Sequence, residues 1–383
     1  MTIPIVRWRV IALFFIHALS TGAIHTRIPD IQLQIGLSEA QLGLVLIGQP
    51  LGGLAMFLFS SRIIERFGPR KVILVMLPLA AISAALVTIL LNPFAMFALL
   101  AVNGLVFSLT NIAINVEADR VEAASGQRIM NTCHGAWSIG FLAASLLGAA
   151  LRGLDVSPAW HMWALVPVVG LLLWTVVAPM PVTPPRPHTG EATKKLAWPT
   201  LATLGLVAFG LGAGLAEGSS RAWSIILLRD SFDVAAWVES LALPALLVTM
   251  ALGRLVADPW IDRFGPVVVA RSLASIAIGG LLLVVFSPNA WAALAGFGLL
   301  GLGICVLYPL MLSAAARLGD RPASQNVAAT TLIFQFVNLG APVLIGAVAQ
   351  GLGIRMAFAL LLPLLALTWV MASRLNRPSP PAP

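Results

Sequence analysis

Twelve times along this chain of 383 residues, an apolar run of about twenty residues is closed off by Pro, Gly, Asn or charge. A helix needs roughly 20 apolar residues to cross the hydrocarbon core of a bilayer. Inside that core the backbone must satisfy its own hydrogen bonds, which leaves helices and closed barrels as the only spanning structures. The runs fall near 8–29, 41–64, 71–91, 94–118, 129–151 and 161–180, then near 198–222, 236–258, 266–286, 289–316, 325–350 and 355–374. Their spacing predicts an all-α polytopic membrane protein of twelve transmembrane helices. Composition agrees, because only 10% of residues are charged where a soluble domain carries about a quarter. Residues 181–197 form the one long non-apolar interior stretch, with four prolines, Arg186, His188, Glu191, Lys194 and Lys195. They are expected to be a solvated cytoplasmic linker between a bundle at 1–180 and another at 198–374, with a disordered tail at 375–383. Arg7 and Arg9 before the first run, and Ala18-Leu19-Ser20 within it, faintly resemble a cleaved leader. Cleavage would leave eleven spans and break the repeat described below, so the first run is expected to remain.

The 23 lysines and arginines outnumber the 15 acids and give a net charge of +8. With the N-terminus placed in the cytoplasm, eighteen of these cations fall inside or at inner helix ends, Arg254 among them. Five fall outside: Arg27, Arg152, Arg221, Arg229 and Arg355. That bias is the positive-inside pattern of membrane proteins. It predicts that both termini are cytoplasmic, and it makes the basic charge a matter of topology, with no nucleic acid partner expected. Two cysteines, Cys133 and Cys305, are too few for a disulfide scaffold. The acids are scattered without a His/Cys cluster at ligand spacing, so neither a metal nor another cofactor is expected. No Ser/His or paired-Asp arrangement suits an intramembrane enzyme.

The chain also repeats itself. Ile64-Glu65-Arg66-Phe67-Gly68-Pro69 returns 197 residues later as Ile261-Asp262-Arg263-Phe264-Gly265-Pro266. The same offset pairs Val72 with Val269, Asn92 with Asn289, Gly104 with Gly301 and Arg120 with Arg317. Six spans separate each residue from its mate, so the two halves share one orientation and form parallel six-helix repeats, as described for certain transporters.

The acid-Arg-x-Gly loop between spans 2 and 3, repeated between spans 8 and 9, resembles the signature loop of the major facilitator superfamily. The family's first-half pattern is Gly-x-x-x-Asp-Arg-x-Gly-Arg-Arg. Here Ser61 takes the place of the Gly, Glu65 that of the Asp, and Pro69 with Arg70 that of the Arg pair. More narrowly, Asn111-Ile-Ala-Ile-Asn115-Val-Glu117 followed by His134-Gly-Ala-Trp137-Ser138-x-Gly140 resembles a bacterial branch of inner-membrane proteins loosely related to fucose permeases. Many members of that branch carry an acid where Asn111 stands. The resemblance implies a 6+6 fold, alternating access, a small-molecule solute, a monomeric carrier in the inner (plasma) membrane, and a gating role for the repeated loops.

Read as residues, Glu65 and Asp262 stand at inner ends of spans 2 and 8, and Arg120 and Arg317 at inner ends of spans 4 and 10. An acid-to-arginine link in each half would latch the cytoplasmic side, with Arg66 and Arg263 beside it, for about 1–3 kcal/mol if partly buried. The plainer alternative is a set of solvated charges obeying the topology rule.

Polar side chains inside the spans mark a candidate solute site, because an ionisable group at mid-membrane needs a partner or a wet cavity. His17 lies in span 1 and Gln49 in span 2, and Asn111 and Asn115 share a stripe of span 4 with Asn103. His134, Trp137 and Ser138 share a face of span 5; Tyr308, the only tyrosine, lies in span 10, and Gln335 and Asn338 in span 11. Amides that bond hydroxyls and a Trp that stacks on C–H faces suit a sugar or polyol. The alternative is that the amides glue helices together, at about 0.6 kcal/mol each. Glu217 is the only acid within the predicted span 7, in its outer third, and with His134 is a candidate to carry a proton; alternatively it pairs with Arg221 one turn on. With no lysine or arginine read near the middle of a span, anionic solutes are disfavoured. The leading expectation is proton-coupled uptake of a small neutral polar solute. A drug or metabolite exporter of the same fold, and a membrane sensor or scaffold that has lost transport, remain as alternatives.

Overall fold

A computed structural model describes residues 3–127, 129–181, 183–184 and 198–376. Most of the expected linker and the expected disordered tail beyond residue 376 therefore lie outside the described residues. Twelve helical segments are long and apolar enough to cross a membrane: Ile5–Thr26, Glu39–Phe57, Pro69–Val87, Pro93–Ser125, Thr132–Gly153, Pro158–Val176, Leu201–Ser231, Ala236–Phe264, Pro266–Val285, Ala290–Ala316, Gln325–Leu352 and Ile354–Asn376, here spans 1 to 12. No strand occurs among the described residues. The chain divides into two compact units, one of Met1–Thr189 with Ala235–Ser240, the other of Gly190–Val234 with Leu241–Pro383.

In the first unit, spans 2 and 4 touch backbone to backbone. A Cβ on Gly104 would lie 1.9 Å from the carbonyl oxygen of Gln49, so only glycine lets the helices approach this closely. In the second unit a Cβ on Gly301 would lie 2.1 Å from the carbonyl oxygen of Leu246. Both residues of that contact sit 197 positions after those of the first, so the repeat holds down to one helix crossing. The loops repeat as well. Gly68 (φ 79°, ψ 147°) and Gly265 (φ 79°, ψ 157°) adopt the same conformation before a helix-opening proline, in a region open essentially to glycine alone. Asn92 caps span 4 by accepting from the Phe94 and Ala95 amides, and Asn289 caps span 10 by accepting from Ala292.

Three boundaries differ from the sequence reading in ways that matter. Span 2 breaks after Phe57, and Ser60–Phe67 forms its own helix, so Glu65 and Arg66 ride on a separate short element. Span 7 runs on to Ser231, because Trp223 and Ile225 to Leu228 are buried and extend its apolar side. Glu217 is thus near the middle of that helix and not in its outer third. Span 8 runs from Ala236 to Phe264, which places Arg254 within a span instead of at an inner end.

Candidate functional site

Histidines and aromatic rings of the first unit pair along spans 1, 4 and 5. His17 is fully buried and stacks on Phe107 at 5.2 Å, and neither ring nitrogen has a hydrogen-bond partner among the described residues. His134, on span 5, meets the edge of Phe14 at 5.5 Å. Trp137 lies 5.3 Å from Phe141, which also faces His25 at 5.6 Å. His134 is exposed and Trp137 half-buried.

The amides divide into two groups. The Gln49 amide donates to Asn103 Oδ1 at 3.1 Å, and Asn103 donates to the Ala80 carbonyl and to Ser83 Oγ at 3.1 and 2.9 Å. This chain ties spans 2, 3 and 4 together and gives Gln49 a partner within the protein, the arrangement expected of helix-joining amides. Asn115 donates to the Asn111 carbonyl at 2.7 Å. The Asn111 side chain is half-buried and has no protein partner among the described residues, which leaves its amide available.

In the second unit Tyr308 packs on Phe334 at 4.9 Å between ring centres. Phe334 fills the space over Gly214, where a Cβ would lie 1.9 Å from the ring. Asn338 bonds back to the Phe334 carbonyl at 2.8 Å, and Gln335 is exposed. Glu217 accepts a hydrogen bond from Arg221 one turn on, the alternative that the spacing left open. Arg254 corrects the expectation that no cation lies well inside a span. Its Nε donates to the Cys305 carbonyl at 2.8 Å, where span 10 breaks between Ile304 and Leu307. The guanidinium thereby satisfies a carbonyl that the interrupted helix leaves without its usual partner.

The expected cytoplasmic latches are not formed in this structure. Glu65, Arg66, Asp262, Arg263 and Arg317 are exposed, and no ion pair among the described residues joins Glu65 to Arg120 or Asp262 to Arg317. Arg120 instead reaches the Thr183 carbonyl at 3.4 Å, and buried Glu117 accepts from the Thr183 hydroxyl at 2.9 Å. Arg70 donates to the Ala178 carbonyl and Arg9 to that of Val176. These groups hold the chain as it leaves span 6.

The opposite end of the same unit carries a network that residue spacing did not point to. Arg152, with its side chain 5% exposed, binds Asp30 at 2.9 Å and Glu239 at 3.1 Å. It also donates to Ser240 Oγ at 2.7 Å and to the Ala236 carbonyl at 3.1 Å. Asp30 binds Arg27 at 3.2 Å, and Arg27 Nε donates to His161 Nδ1 at 3.0 Å, so the proton of that imidazole sits on Nε2. Burial pulls the Arg27 guanidinium below its ordinary pKa, an effect that its bond to Asp30 opposes. In sequence these are scattered outer-side charges, and an acid lies within four residues of four of the five outer arginines, so that signal did not single out Arg152.

The family description Major Facilitator Superfamily matches residues 10–341, and the chain belongs to that family. It is a multi-pass membrane protein with the transporter fold. An MFS-type transporter of Yersinia pestis is 28% identical over 364 residues, covering 94% of this chain and 93% of the relative. A transporter of Sinorhizobium fredii is 28% identical, covering 97% and 98%. Among solved structures, the nucleoside transporter NupG superposes with a TM-score of 0.74 at 16% identity, covering 97% of this chain and 98% of its own. The Escherichia coli fucose:proton symporter FucP superposes with a TM-score of 0.60 at 18% identity, covering 99% and 100%. The relatives are named as transporters, not as enzymes.

Proposed function

We propose that the chain is a secondary transporter of the bacterial inner membrane that takes up a small neutral polar solute, sugar- or polyol-like, by alternating access coupled to protons. The observation that supports this reading is that the Asn111 amide of span 4 is half-buried with no partner among the described residues, in a unit whose span 5 carries His134 and Trp137 among aromatic rings. His17 adds ring nitrogens without protein partners, and Tyr308, Gln335 and Asn338 are the second unit's contribution. Gln49 acts at one remove, by joining helices. Arg254 is engaged on a backbone carbonyl, which fits a solute without negative charge. Proteins of similar fold include a nucleoside transporter and a fucose:proton symporter, whose named solutes are hydroxyl-rich and neutral. Protons are assigned to Glu217 and His134; release of Arg221 would free Glu217 to load one. Glu65, Arg66 and Arg120, with Asp262, Arg263 and Arg317, form the cytoplasmic latches in the opposite end state.

A ligand that binds the native protein raises its apparent stability by mass action. A thermal-shift screen of purified protein against sugars, polyols, nucleosides, amino acids and cationic dyes is therefore the direct test. Stabilisation by a hydroxyl-rich neutral solute, lost on Trp137→Ala or Asn111→Ala, is the expected result. A response to cationic dyes alone would replace uptake by export.

A further inference from the structure

We propose that Arg152 is a clasp at the end of the first unit that the charge count places outside, and that releasing it is the step that opens that end. The proposal rests on the alternating-access part of the reading above and not on the identity of the solute. Arg152 gathers three segments distant in sequence. Its guanidinium holds Asp30, on the short helix Ile28–Ile35 after span 1, and also Glu239, Ser240 and the Ala236 carbonyl on the first turn of span 8. That turn, Ala235–Ser240, groups with the first unit, whereas Leu241 onward belongs to the second. The helix is interrupted at Leu241, between Ala236–Ser240 and Ala242–Phe264. The interruption is the place where a held turn and a moving helix can part.

The fit around the clasp is close. Gly153, next to Arg152, faces Trp237, whose Cβ a side chain at 153 would meet at 3.0 Å. Val238 and Ser240 are buried. Arg27 backs Asp30 from the other side and is itself held by His161, so the carboxylate stays aimed at Arg152. The groups are ionic, with both arginines and Glu239 buried and Asp30 partly exposed, which makes the assembly costly when one member is missing. A latch that closes fully or not at all suits a two-position gate.

The test is labelling of a single cysteine in the full chain, in nanodiscs that leave both faces accessible. Cys133 and Cys305 are replaced by Ser, and Val238→Cys reports on the clasped turn. A thiol there is labelled only when the turn opens, so the rate with a polar maleimide measures that local opening. The expected result is slow labelling with Arg152 intact, about tenfold or more faster labelling with Arg152→Gln, and an intermediate rate with Arg152→Lys. Ala81→Cys, buried in span 3 of the same unit, serves as the folding control and should remain unlabelled throughout. If Arg152→Gln exposes position 81 as well, Glu239→Gln, which removes one partner only, decides instead. Unchanged labelling at 238 in whichever variant keeps position 81 protected would overturn the clasp. No solute is needed, so failed sugar uptake with accelerated labelling would count against the proposed solute and leave the clasp standing.

Discussion

The two ends of the first unit spend charge in opposite ways. At the Arg152 end, two arginines, two acids and a histidine are drawn into a buried network. At the Glu65 end the family's loop charges stand in solvent, while Arg9, Arg70 and Arg120 reach for backbone carbonyls. The first arrangement is expensive to assemble and expensive to break; the second can rearrange at almost no cost. An end whose charges are desolvated behaves as a closed catch, and an end whose charges remain hydrated is free to form its contacts in another state.

Removing charge from each end should expose that difference. Arg152→Gln takes the arginine from Glu239 and leaves Asp30 with Arg27 alone, and is expected to cost about 3–5 kcal/mol, read as a lowered unfolding temperature in detergent. A cost under about 1 kcal/mol would place the network in water. Next, Glu117→Ala strips the Thr183 hydroxyl of its partner and should cost about 1–3 kcal/mol. Glu117→Gln keeps an acceptor and should cost less, so equal losses from the two variants would show that Thr183 is not the reason. Gly68→Ala and Gly265→Ala are each expected to cost about 1–3 kcal/mol, because both glycines hold a backbone conformation closed to other residues. Matched losses would show that the two loops are equivalent in energy as well as in shape. The smallest effect belongs to Glu65→Gln and Asp262→Asn, at most about 1 kcal/mol for exposed charges. These variants should nonetheless shift cysteine accessibility at the Glu65 end, since the latch is assigned to the other end state.

Much of this was legible in the sequence. Twelve spans followed from apolar runs and their breakers, and the repeat at 197 residues reached as far as the crossing that joins Gly104 to Gln49 and Gly301 to Leu246. The limits were equally physical. Hydropathy stops counting a helix when polar residues arrive, so Arg221 hid the continuation of span 7 and moved Glu217 away from the middle. Arg254 read as a topology charge because its partner is a backbone carbonyl, which no side-chain pattern reveals. The Arg152 network joins residues 30, 152 and 239, and only folding brings them together. Asn111 and Trp137 were singled out as candidates because helical spacing and the branch motif pointed to the same positions. Gln49 shared the spacing argument but not the motif, and its amide is engaged with Asn103.

The most direct test of the central claim is uptake into proteoliposomes under an imposed pH gradient, using radiolabelled neutral sugars, polyols and nucleosides with the purified chain. Accumulation of one such solute is expected when the outside is acidic, with collapse of that accumulation when protons are equilibrated, and its loss with Glu217→Gln while solute exchange persists. Accumulation that ignores the pH gradient, or flux of cationic dyes with none of any neutral solute, would contradict that claim.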